Sequence, residues 1–162
     1  MEEKKIEINF HVAHFSELES KDQDLIVNAK DALKNAYAPY SGFLVGTSVL
    51  LENGEIVNGS NQENVAYPSG LCAERVAMFY VGAQFPDIKI NTIAVSVFSK
   101  SFEVKDVISP CGACRQVMAE YEDKQQQSIR VILHSPDNQV LIAKKVQDLL
   151  PLMFKSPDLK NY

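Results

Sequence analysis

Nowhere in the 162 residues does an apolar run approach the ~20 residues that a membrane-spanning helix needs. The opening stretch "MEEKKIEINFHVAHF" also lacks the basic-then-apolar order of a secretory signal, so the expected location is cytoplasmic. Basic residues are in deficit: 16 Lys and Arg stand against 21 Asp and Glu, a net charge of −5, with no Lys/Arg cluster. Proteins that grip polynucleotides show the opposite balance, because phosphate neutralisation drives their affinity. The expectation is therefore no nucleic acid and no membrane partner, while a small neutral ligand stays open. Internal repeats, low-complexity segments and linkers are lacking too. A chain that is 46% hydrophobic and 23% charged reads as one domain over residues 1–162, with 1–20 an N-terminal extension.

Cysteine is equally scarce. There are three, an odd number that cannot close as a set of disulfides. Scattered through the chain they would read as buried thiols acting as small hydrophobes. Instead one lies in "LCAER" (71–75) and the other two stand three apart behind a proline in "SPCGACRQ" (109–116).

The segment "SKDQDLIVNAKDALKNAYAPY" predicts a helix, with Leu25, Ala29, Ala32, Leu33 and Ala36 at three- and four-residue spacing, Ser20 as N-cap and Pro39 marking its end. Asn53-Gly54 predicts the turn of a β-hairpin within "FLVGTSVLLENGEIVNGSN". "CAERVAMFYVGAQ" and "CGACRQVMAEYE" read as two further helices. "INTIAVSVFS" (90–99) and "IRVILHS" read as buried strands, and "PDNQVLIAKKV" as a turn and strand. "IEINFHV" (6–12) fits either a short edge strand or a loose arm, and "DLLPLMF" a short final helix. The order indicates an α/β layer protein with about five strands sandwiched between helices.

A catalytic zinc commonly has three protein ligands and one open position, whereas structural zinc is almost always four-coordinate. Cys72, Cys111 and Cys114 supply the first count; His11, His14 or His134 would be needed to reach the second. Cys111 and Cys114 share one face of a first helical turn, where the helix N-terminus favours thiolates. Residues 72 and 74 point roughly 200° apart on an ideal helix, so both reach one metal only if Cys72 sits at the cap. Glu74 would then be a carboxylate that is not a ligand, placed to shuttle protons; its plainer alternative is a solvated helix-start glutamate. Three thiolates on Zn²⁺ leave a net −1, which calls for a compensating cation.

The pairing of "C-A-E" with "P-C-G-A-C" is the pattern of zinc deaminases. Together with "YAPYSGFLVG", "NGSNQENVAYPSGLCAER", "SPCGACRQV" and "LLPLMF" in that order, it makes the chain resemble the small zinc-dependent cytidine deaminases from about Tyr37 to Asp158. The resemblance implies a three-layer α/β/α sandwich with a mixed sheet and one Zn²⁺ per subunit on Cys72, Cys111 and Cys114. The implied reaction is hydrolytic deamination of cytidine and 2′-deoxycytidine to uridine and 2′-deoxyuridine. Zinc-activated hydroxide attacks C4 and ammonia leaves, a step of pyrimidine salvage.

The same resemblance gives Glu74 the catalytic proton transfers and Arg75 the charge compensation of the thiolates. Asn61 and Glu63 would hold a ribose hydroxyl, Phe43 would pack against the pyrimidine, and the backbone at Ala73 and Ser109 would read the base edges. Tyr67 and Phe154 match aromatic positions that complete a neighbouring subunit's site, implying a homotetramer with shared active sites. Read as bare sequence, Asn61 and Glu63 also fit a polar loop and Phe43 an ordinary core position. Two other functions stay open: deamination of another cytosine-containing small molecule such as blasticidin S, and a non-catalytic zinc-binding module.

Overall fold

Successive side chains of a strand point to opposite faces, and a sheet covered on both sides must be apolar on both. The computed structural model, which describes residues 1–159, shows that requirement met. The elements run β1 (His11–His14), α1 (Ser20–Ala32), β2 (Phe43–Leu51), β3 (Ile56–Ser60), α2 (Ala73–Gln84), β4 (Ile90–Ser99), α3 (Gly112–Gln125), β5 (Arg130–His134) and β6 (Gln139–Ala143). Val131 and Leu133 of β5, with Ile93 and Val95 of β4, pack under α2 and α3 against Ala77, Met78, Val81, Cys114 and Met118. Ile132 and Ala94, between them in sequence, face the other way and meet Leu25, Ile26 and Ala29 of α1. One helix thus covers one face and two cover the other, the α/β/α sandwich expected.

The single sheet has the order β1-β6-β5-β4-β2-β3. It is mixed: β4 and β5 are parallel, and the remaining neighbours are antiparallel. A parallel pair needs a crossover, and α3 supplies it. Its N-terminus therefore lies beyond the carboxyl end of β4, where ligands gather in α/β sheets.

Six strands replace the expected five. The added one is β1, which pairs with the outer edge of β6 from His11↔Ile142 to His14↔Gln139, inside the stretch read as an extension. The alternating pattern over 6–12 did signal a strand, but the paired residues lie further on. Helix α1 also starts one step earlier than its spacing suggests, with Glu19 as N-cap and Ser20 already helical. It ends at Ala32 because a tighter 3-10 turn, Leu33–Asn35, takes over well before Pro39. The final helix read in "DLLPLMF" does not form: a 3-10 turn, Val146–Leu149, reaches only its first two residues, and 150–156 are not helical.

Two glycines allow the helices to approach the sheet. A Cβ on Gly46 would lie 2.0 Å from the Ala29 carbonyl oxygen of α1. One on Gly59 would lie 2.6 Å from the Ala73 carbonyl oxygen, so α2 could not dock with Cys72 and Glu74 where they are.

Candidate active site

Cys72 and Cys111 are the N-cap residues of α2 and α3. Both have extended backbones (φ −70°, ψ 153° and φ −65°, ψ 165°), and neither uses its side chain as a cap. Their carbonyls already accept the first helical bonds, from Val76 at 3.1 Å and Arg115 at 3.0 Å. Each sulfur is therefore free to leave the helix axis, which resolves the 200° problem: Cys72 lies outside the helical dihedrals and Glu74 one turn-start inside. Cys114 follows in the first turn of α3 and is fully buried.

The three sulfurs converge, with Cys72–Cys111 at 3.9 Å, Cys111–Cys114 at 3.5 Å, and all within 4.8 Å of one another. Tetrahedral zinc with Zn–S near 2.3 Å requires S–S separations of about 3.8 Å, and the separations of 3.9 and 3.5 Å lie close to that spacing. Arg75 adds a second indication: Nη2 lies 3.8 Å from the Cys72 sulfur, while buried Nε has no partner. A half-buried guanidinium aimed at a thiol is matched to the thiolate, the form in which cysteine binds metal.

The charges are graded accordingly. The Cys72 thiol is drawn down to about 5, first by its hydrogen bond with Cys114 and then by Arg75 and Cys111, against the opposing effect of burial. Cys114 is pushed up by the same bond and by its own burial. Burial also pushes the Glu74 carboxyl up, and the neighbouring Cys72 thiolate adds to it.

Among the described residues no histidine joins the sulfurs. His134 lies on the α1 side of the sheet, 3.3 Å from both Ser96 Oγ and Asn138 Oδ1 and edge-on to Phe15. Among the described residues three sulfurs are thus available to one ion.

A cavity of about 640 Å³ opens beside the cysteines. That is the size of a small-molecule site, and Glu74, though only 4% exposed, lines it with Cys72, Arg75 and Cys111. Phe43, Asn61, Glu63, Tyr67 and Ser109 line it as well. Ala73 is fully buried as the first residue of α2, and Phe154 stands outside the lining, 73% exposed.

The polar residues of this wall are engaged. Asn61 Oδ1 accepts from Val45 N at 2.8 Å and its Nδ2 donates to the Phe43 carbonyl at 2.9 Å. Glu63 accepts from the Ser41 hydroxyl at 2.5 Å and from the backbone N–H of Tyr40 and Ser41 at 2.9 and 3.3 Å. The Ser41 hydroxyl foremost holds the Glu63 carboxyl below its ordinary value. Ser41 and Tyr40 had no signal in the sequence beyond the turn character of "PYSG", because the carboxylate they hold is more than 20 residues away. Arg115 bonds the carbonyls of Pro110 (2.7 Å) and Leu149 (3.0 Å), bracing the approach to Cys111. Gln116 pins both backbone groups of Phe154, at 2.9 and 3.0 Å.

With this geometry, comparison with known proteins becomes decisive. The sequence profile of the cytidine and deoxycytidylate deaminase zinc-binding region matches residues 19–128. The chain belongs to that family. Cytidine deaminase of Sporosarcina psychrophila is 38% identical over 140 residues, 85% of this chain and 93% of that protein. That of Halalkalibacterium halodurans is 41% identical over 98 residues, 60% and 70% of the two chains. The crystal structure of cytidine deaminase from Burkholderia pseudomallei superposes with a TM-score of 0.70 at 37% identity, covering 81% of this chain and 97% of that one. The residues matched by the profile span all three cysteines and Glu74, and the family's metal is the one their spacing suits.

Proposed function

We propose that the protein is a zinc-dependent cytidine deaminase that hydrolyses cytidine and 2′-deoxycytidine to uridine and 2′-deoxyuridine, releasing ammonia. The observation that carries this reading is a buried carboxylate and three convergent sulfurs opening on one nucleoside-sized cavity. Cys72, Cys111 and Cys114 would hold the zinc. When bound, that ion supplies the Lewis acidity that makes water a nucleophile at neutral pH.

The chain's own residues do the rest. Glu74 accepts the proton that water gives up and delivers it to N3 of the pyrimidine, then takes the proton of the new C4 hydroxyl and passes it to the amino group, which leaves as ammonia. A carboxyl raised by burial suits a group that must hold a proton between transfers. Arg75 offsets the thiolate charge. Phe43 offers an apolar ring to the base, the N-terminal backbone of α2 at Ala73 and the backbone at Ser109 meet its polar edge, and Asn61 with Glu63 meets the ribose hydroxyls. Glu63 retains acceptor capacity after its three bonds, since a carboxylate has about four lone-pair positions. Among the described residues Arg75 is the one cation of the lining, and its Nη2 is turned to the Cys72 sulfur. A 5′-phosphate would therefore enter beside Glu63 with no counter-charge, which favours nucleosides over nucleotides.

Two aromatics expose unusual area, Tyr67 at 75% and Phe154 at 73%. Their exposure supports a homotetramer in which neighbouring subunits cover them and share active sites. Three free thiols accord with a reducing cytoplasm, and the reaction with pyrimidine salvage.

The test is the loss of cytidine's ultraviolet absorbance with purified zinc-loaded protein and Glu74→Gln beside it. Turnover by the wild type alone is expected. No turnover by either, with zinc retained, would overturn the reading in favour of another substrate or a binding module.

A further inference from the structure

The turn after β4 carries a second aromatic to the cavity wall. The Phe102 ring lies parallel to Phe43, with 6° between planes and 5.9 Å between centroids. That is an offset stack, the geometry aromatic pairs prefer. Phe43 lines the cavity and Phe102 does not, so Phe102 supports the lining ring from outside. Phe102 remains 56% exposed, which makes a role in the core a poor account of it.

The contact is not a chance meeting of two loops, because the turns that carry the rings are fastened together. Lys100 N donates to the Gly42 carbonyl at 3.0 Å, and the Ser101 hydroxyl donates to the Ser41 carbonyl at 3.2 Å. Ser99 Oγ accepts from the backbone N–H of Ser101 and Phe102 at 3.1 and 3.2 Å, fixing the turn from which Phe102 projects. Gly42 has φ +66°, and a Cβ there would lie 2.6 Å from Ser101 Oγ, so the approach depends on glycine.

We propose that Phe102 is a positioning residue for substrate binding: it fixes the Phe43 ring as the platform for the base, giving a stack of Phe102, Phe43 and pyrimidine. The proposal rests on the assignment of Phe43 to the base. It makes the turn at 99–102, which touches neither the cysteines nor Glu74, a determinant of affinity for the base. A flat π-face is what the role demands; apolar bulk alone does not supply it. Tyrosine should therefore replace Phe102, and leucine should not.

The test compares Phe102→Ala, Phe102→Leu and Phe102→Tyr with wild type, by steady-state cytidine deamination and by calorimetric binding of uridine, which needs no chemistry. An offset stack corresponds to roughly three- to tenfold in affinity. In Phe102→Ala and Phe102→Leu, KM for cytidine and Kd for uridine should rise together by that factor, with kcat within twofold, and Phe102→Tyr should restore both. KM and Kd unchanged in Phe102→Leu, or restoration by leucine as complete as by tyrosine, would overturn the proposal. So would a fall in kcat without a change in KM. Should Phe102→Ala fail to fold, the leucine and tyrosine variants give the same reading. Wild-type protein that neither turns over cytidine nor binds uridine would overturn the assignment of the site itself, and this proposal with it.

Discussion

At the cysteine end of the cavity the side chains come from two helix N-termini, whereas at the other end they come from the start of β2 and the loops beside it, which hold one another by hydrogen bonds. Cys72 and Cys111 are caps, and Glu74, Arg75 and Cys114 follow within one turn. The helices are anchored by Met78, Val81 and Met118 in the same core that holds Cys114, so the sulfurs are positioned by apolar packing. Asn61, Glu63 and Ser41 lie outside the strands, beside Phe43 at the first position of β2. Their geometry is a ring of bonds closing on the Phe43–Val45 backbone. The difference teaches where perturbation should spread: substitutions at the first end change chemistry with little effect on the wall, and substitutions at the second change binding and stability together.

The largest effect should come from the sulfurs. Cys114→Ser is expected to reduce zinc per chain to a small fraction and to abolish cytidine turnover with it; full zinc occupancy by elemental analysis would break the assignment. Arg75→Ala keeps all three sulfurs, so zinc should still bind but leave faster to a chelator. Glu74→Gln separates chemistry from metal: kcat should fall by on the order of 10²–10⁴, the usual worth of a positioned proton shuttle, at unchanged zinc content. Loss of zinc in this variant would show that Glu74 acts as a ligand.

At the other end the comparison predicts a mixed outcome. Asn61 is buried, and its truncation leaves Val45 N–H and the Phe43 carbonyl without a partner. Asn61→Ala should cost about 1–3 kcal/mol of stability in addition to raising KM. Glu63→Ala removes bonds to exposed donors, so stability should change less while nucleoside KM still rises. Denaturant titration beside steady-state kinetics reads both quantities. Equal stability losses for the two would remove the distinction between a fastener and a binding group.

The same contrast explains what the sequence could tell. The cysteine end is local: "C-A-E" and "P-C-x-x-C" each lie within one helical turn, so cap geometry followed from residue spacing and the convergence of two helices from ligand count. The layered fold was legible because β4 and β5 are apolar on both faces and the helical segments keep their period. Ser41 with Glu63, and Phe102 with Phe43, were not legible, since their partners lie 22 and 59 residues apart and no periodicity links them. Strand β1 was half legible, because alternation marks a strand but register depends on the edge of β6 that receives it. Asn61 was read as a ligand-binding amide, yet its two backbone bonds show a fastening role that only the folded β2 could reveal.

The smallest effect is expected on the face that carries neither end. His134 is buried beneath α1, and desolvation holds its ring below its ordinary value. Lys30 works in the same direction, while the bond to Asn138 and the charge of Asp137 oppose it. Because the folded state disfavours the proton, the unfolded chain binds more of it between the depressed value and the ordinary one near 6.5. Stability from this residue is therefore complete above 6.5 and declines as pH falls through that window. His134→Gln removes the titration while retaining a polar side chain between Ser96 and Asn138. The difference in Tm between variant and wild type should then shift in the variant's favour from about pH 8 to about pH 5, with kcat and KM at neutral pH unchanged. A Tm difference that stays constant with pH would detach acid sensitivity from this residue. A change in KM would show that the α1 face reaches the cavity, and the separation of the two faces would need to be redrawn.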